Sequence, residues 1–154
     1  MKSIFALVAL TLIYPACAGT LPLSELEVGG IALGATEASV VGRMGEPLQR
    51  LDTGEGIELH YPGLVATVGW LEQQAPGRER RVAGIFGSGP QACTPRGLCP
   101  GMPVAAADRL YGTPEVAQRE AGEFLEYYPE ATGCWLQVAA AAGSIRSVAV
   151  ACQP

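Results

Sequence analysis

The sequence predicts an α+β fold of two tandem units, each a short helix packed on a three- to four-stranded antiparallel sheet. Three observations carry that expectation. Anchors recur at a constant separation of 67 residues: Gly34 and Gly101, Gly45-x-Pro47 and Gly112-x-Pro114, Tyr61-Pro62 and Tyr128-Pro129. These are mostly glycines and prolines, which punctuate the backbone, so the pattern reads as a duplicated scaffold. After each Gly-x-Pro the apolar period switches from helical to alternating, the mark of a helix followed by strands. Four cysteines, Cys93, Cys99, Cys134 and Cys152, then lie in the last 62 residues of the chain, an even set suited to two bridges.

The elements follow in order. Residues 1–18 combine a basic start (Lys2), an apolar run from Ile4 to Ile13, and Ala16-Cys17-Ala18. This reads as a secretory signal peptide cut after Ala18, with lipid attachment at Cys17 as the alternative. The first unit spans 19–89. Val28 to Leu33 is its leading strand, and Thr36 caps a helix running to Met44, where Gly45 and Pro47 stop it. Ile57, Leu59 and Tyr61 alternate with Glu58 and His60, and Leu64–Trp70 and Arg81–Phe86 continue as strands around the polar stretch Glu72–Arg81.

Gly87-Ser-Gly-Pro90 opens a linker into the second unit, 90–154. Pro103 stands at the cap of a second helix, with Val104, Ala107, Leu110 and Tyr111 as its stripe before Gly112. Glu123–Tyr128, Cys134–Ala139 and Ser144–Cys152 read as its strands, with Ala141-Ala142-Gly143 turning the last hairpin. Of three possible cysteine pairings, Cys93–Cys99 with Cys134–Cys152 is preferred. It closes a short linker loop and joins the ends of two strand-like runs. No Cys-x-x-Cys pair and a single histidine argue against zinc.

Charge and composition narrow the function. Loss of residues 1–18 removes the only lysine and leaves nine arginines against fifteen Asp and Glu, a net charge of −6. An acidic chain without a basic run is a poor ligand for nucleic acid, and membrane attachment requires lipidation at Cys17. Nucleophile and phosphate-binding motifs are absent: Ser88 lacks the glycine of a nucleophile elbow, and Gly84–Gly89 is not followed by a helical pattern. His60, the only histidine, has no recognisable catalytic partner in sequence. The expectation is therefore not an enzyme, with no cofactor and no metal.

Aromatic residues gather around the strands instead. If a sheet is covered by helices on one side, alternation turns Tyr127, Trp135 and His60 toward its open side, and Trp70 closes the first unit's strand. Large aromatics on an open sheet mark protein contact, which makes these four the expected partner-binding residues.

Leu33-Gly-Ala-Thr-Glu-Ala-Ser-Val-Val-Gly-Arg-Met-Gly-Glu-Pro47 resembles the opening of SmpA/OmlA-type and β-lactamase-inhibitor-protein (BLIP-like) units, as do Pro100-Gly-Met-Pro103 and Glu126-Tyr-Tyr-Pro129. Ala35 and Pro103 depart from the Gly-Met-Thr opening, and the first unit has no cysteine. The resemblance implies a periplasmic or secreted protein that binds another protein, as an inhibitor or immunity-type factor against an envelope or secreted enzyme. An outer-membrane or envelope assembly (lipo)protein of SmpA/OmlA type is the alternative. No inhibitor contact residues carry over, because only scaffold positions match.

Overall fold

The computed structural model describes residues 20–54, 56–69, 79–130 and 132–153. The expected signal peptide, Cys17, Trp70 and most of the Glu72–Arg81 stretch lie outside the described residues.

A small hairpin, β1 (Glu27–Val28) and β2 (Ile31–Ala32), leads into α1 (Glu37–Met44). Thr36 caps α1 as its sequence suggests: the hydroxyl accepts from the Ser39 amide, and Gly45 closes the helix at φ 83°. Four strands follow: β3 (Gln49–Thr53), β4 (Gly56–Tyr61), β5 (Leu64–Gly69) and β6 (Arg81–Gly87). After the linker come α2 (Ala105–Tyr111), β7 (Glu115–Arg119), β8 (Gly122–Tyr127), β9 (Cys134–Ala141) and β10 (Ser144–Cys152). Val104, in helical conformation, is the residue preceding α2, so Pro103 is not its cap. Pro103 instead bridges to Ser144, and Val104 donates to Gly143.

The expectation of two tandem helix-on-sheet units is not met. All eight long strands form one antiparallel sheet in the order β3-β4-β5-β6-β10-β9-β8-β7, and the protein is mostly β, with two α-helices among the described residues. The seam is β6 against β10, registered as Gly87↔Val148, Phe86↔Ala149 and Ile85↔Val150. An exposed inner edge on either half would leave unpaired N–H and C=O groups, and pairing the two edges removes both.

The strands also break the constant spacing. Gly45 and Gly112, which end the helices, stand 67 apart, whereas β4 and β8 begin at Gly56 and Gly122, 66 apart. Three residues connect Gly45 to β3 and two connect Gly112 to β7. One residue is therefore lost between helix and sheet, and in a strand a one-residue slip moves every side chain to the other face. Tyr61 thus corresponds in place to Tyr127, not to Tyr128. The Tyr-Pro coincidence at 67 misassigns the faces of β8.

One face of the sheet carries the core. Leu59, Tyr61, Leu64, Ala66, Val68, Val82, Ile85, Tyr127, Leu136, Val138, Val148 and Val150 are buried on it. Val40 of α1, Ala106 and Ala107 of α2, Val28 and Ile31 of the small hairpin, and Leu98 of the linker cover that face. Each fully buried Leu, Val or Ile contributes about 1.5–3 kcal/mol.

Both expected disulfides form. Cys93–Cys99 closes the linker loop, and Cys134–Cys152 ties the first residue of β9 to its registered partner at the end of β10. Inside the first loop, the Thr94 hydroxyl accepts from the Leu98 amide and donates to the Tyr111 hydroxyl, which donates its own proton to Glu25. Arg96 pairs with Glu25 at 3.2 Å, donates to the Leu110 carbonyl and lies over the Tyr111 ring. The bridge thus pins linker, α2 and N-terminal segment to one another.

Candidate functional site

The face opposite the core has no helix over it among the described residues. Register aligns one residue from each strand into a row across it: Gln49, His60, Val65, Phe86, Ala149, Gln137, Glu126 and Glu115. Alternation places Leu51, Glu58, Thr67, Gly84, Ala151, Trp135 and Arg119 on the same side. Phe86, at the centre of the row, is 49% exposed. An apolar ring of that size left in water at the middle of a sheet is the residue type that anchors protein contacts. Its β10 neighbours, Ala149 and Ala151, are small, so the ring stands above its surroundings.

Beside it lies a cluster built on β7, β8 and β9. Glu126 has no exposed side-chain surface, yet it is charged. Arg119 donates to it through Nε at 3.1 Å and Nη2 at 2.8 Å, Gln137 Nε2 donates at 2.8 Å, and the Tyr128 hydroxyl donates as well. Burial pushes the Glu126 carboxyl up, but these donors outweigh burial and hold it at about 2. The Arg119 guanidinium also lies 5.5 Å from the centre of the Trp135 ring, and Tyr128 stacks on Trp135 at 5.6 Å and 31°. Burial and the bond to Glu126 push Tyr128 up to about 12. The cluster holds Trp135 in place and covers it.

The expected contact residues fall in different places. His60 is on the open face, one third exposed, with Nε2 2.9 Å from Glu58 Oε2. Trp135 is on that face too, but 8% exposed, so it supports the surface more than it offers one. Tyr127 is the error. It is 5% exposed on the core side, 5.3 Å from the Tyr111 ring, and burial pushes its hydroxyl up to about 12. The lost residue between α2 and β7 is the physical reason, since it reverses the side on which Tyr127 was expected. Trp70 lies outside the described residues.

Arg119, Glu126 and Phe86 were missed from the sequence. Phe86 had a legible signal, because Val82 and Ile85 are apolar and only a bulge between Thr67 and Val68 reverses the alternation. Arg119 had none, since β7 is polar and its pairing with β8 is a tertiary fact. Among the described residues, no three His, Cys, Asp or Glu side chains gather as a metal site, and no helix is long and apolar enough to cross a membrane.

No family model and no curated protein matches the chain. Among solved structures it is similar to an extracellular protein containing an SCP domain from Bacillus anthracis. The TM-score is 0.50 at 11% identity, over 96% of this chain and 50% of that one. The chain therefore spans about half the length of that protein, and at this identity the likeness concerns the fold alone. The two disulfides are consistent with an exported protein.

Proposed function

We propose that the protein is a non-enzymatic binding module of the periplasm or the secreted fraction, of inhibitor or immunity type, that docks an envelope or secreted enzyme through its uncovered sheet face. The observation that carries this reading is Phe86, half exposed at the centre of an eight-strand face that no described helix covers. A rigid sheet presents such an anchor with little ordering cost, since the backbone is already fixed by its ladders. Trp135, braced by Arg119 and Tyr128, gives the same face a stiff flank. The resemblance of Leu33–Pro47 to inhibitor-protein openings supports the reading.

A tagged mature chain should capture a stoichiometric partner from an envelope or culture fraction, identified by mass spectrometry. Phe86→Ala should then weaken that complex by about 30-fold, the scale of a buried aromatic anchor. Leu23, 61% exposed in the N-terminal 3-10 turn outside the sheet, supplies the control: Leu23→Ala should leave the affinity unchanged. Equal binding by Phe86→Ala and the parent chain would remove this face from the proposal.

A further inference from the structure

We propose that β7 is a dimerisation edge, across which a second copy of this chain continues the sheet. The eight-stranded sheet ends at β3 on one side and β7 on the other. Each edge strand turns the N–H and C=O groups of alternate residues away from its single neighbour, ready for another strand. A two-fold axis perpendicular to the sheet pairs an edge with itself, antiparallel, and keeps both open faces on the same side.

The sequence of β7, Glu-Val-Ala-Gln-Arg, suits that operation. A residue must meet one of the same face, so the sum of paired numbers is even, and only the register centred on Ala117 pairs all five residues. It sets Glu115 against Arg119 of the second copy, twice, with Ala117 against itself on the axis and Val116 against Gln118. Glu115 forms no ion pair among the described residues. Arg119 gives Nε and Nη2 to Glu126, which leaves Nη1 for an incoming carboxylate. Glu126 already pairs with Arg119, so each incoming Glu115 would be the second carboxylate on that cation. Val116 is 60% exposed on the helix side of the edge, and the second copy would cover it.

The β3 edge is less suited. Centred on Leu51 it would set Arg50 against Asp52, but Arg50 already serves Glu37 and Glu46. Asp52 would be a third carboxylate on one cation, and like charges oppose that pairing.

The proposal predicts reversible dimers of the mature chain by sedimentation equilibrium, weakened by salt. Glu115→Arg, which would face Arg119 of the other copy, should raise the dimer dissociation constant by about tenfold or more. Directly opposed residues across an antiparallel pair lie within disulfide reach, so Ala117→Cys chains should cross-link to each other under mild oxidation. Leu51→Cys chains should not. A chain that stays monomeric to about millimolar concentration, the scale of weak association, would overturn the proposal. So would a dimer cross-linked through Leu51→Cys and not Ala117→Cys, or one indifferent to Glu115→Arg. None of these results depends on the enzyme-binding reading, because Phe86 lies at the centre of the sheet and β7 at its rim.

Discussion

Replacing Arg119 by alanine tests the cluster beneath the proposed binding face. The substitution removes two hydrogen bonds to a carboxylate with no exposed surface, and the cation that balances it. A hydrogen bond to a charged group contributes about 1.5–3 kcal/mol, and stranding a buried charge costs about 3–5 kcal/mol. Two facts reduce the figure here. The Arg119 side chain is 45% exposed, so solvent screens it, and Gln137 and Tyr128 still donate to Glu126. Arg119→Ala is therefore expected to lose about 2–3 kcal/mol at pH 7.

The pH dependence sharpens this expectation. Glu126 titrates at about 2 in the folded protein against an ordinary 4.5, so the folded state favours its charged form. A depressed carboxylate stabilises fully above its unfolded pKa and progressively less as pH falls toward the folded value. The parent chain should thus lose roughly 2 kcal/mol of this contribution between pH 4.5 and 2. Arg119→Ala and Glu126→Gln should both flatten that stretch of the profile. Urea unfolding followed by circular dichroism at pH 7, 4.5 and 3 measures it, with unchanged m-values showing that the native and unfolded states keep their extent. Arg119→Ala within about 0.5 kcal/mol of the parent, with the same acid slope, would refute the reasoning.

Four other outcomes follow from single residues. Tyr127→Phe should be neutral or stabilising by up to about 1 kcal/mol, because its buried hydroxyl has no partner, whereas Tyr61→Phe should lose about 1 kcal/mol with the bond to the Gly45 carbonyl; paired urea titrations decide this. Ala142 sits at φ 51° in the β9–β10 turn beside Gly143 at φ 77°, so Ala142→Asn, which tolerates that conformation, should stabilise by about 0.5–1 kcal/mol, read as a rise in Tm. Gly63→Ala should cost at least about 2 kcal/mol, since φ is +66° and the added Cβ would come 2.5 Å from the Gly89 backbone; calorimetry should show the fall in Tm.

Much of the local structure is legible in the residues. Thr36 and Gly45 bound α1, alternation marks β4 and β5, and the cysteines pair as their spacing suggests, because each signal lies within a few residues. β3 and β7 escape notice for the opposite reason. Their residues are largely exposed on both sides, so neither carries an apolar alternation, and only pairing with a neighbour makes them strands. The candidate site was legible by half: His60 and Trp135 lie on the expected face, while Phe86 and the Arg119–Glu126 pair require the sheet to be assembled.

The amino-acid sequence alone determined the punctuation of this protein: where helices stop and where hairpins turn, with one cysteine pairing preferred among three. It did not determine which side of the sheet β8 shows, since one residue fewer between α2 and β7 reverses the side chains of β7 and β8. Tyr127 lies in the core rather than on the open face for that reason. Nor did it determine that two half-sheets become one, because the β6–β10 seam joins segments far apart in the chain and follows from the need to pair two backbone edges. Face and seam are products of long-range register, and long-range register exists only in the folded chain.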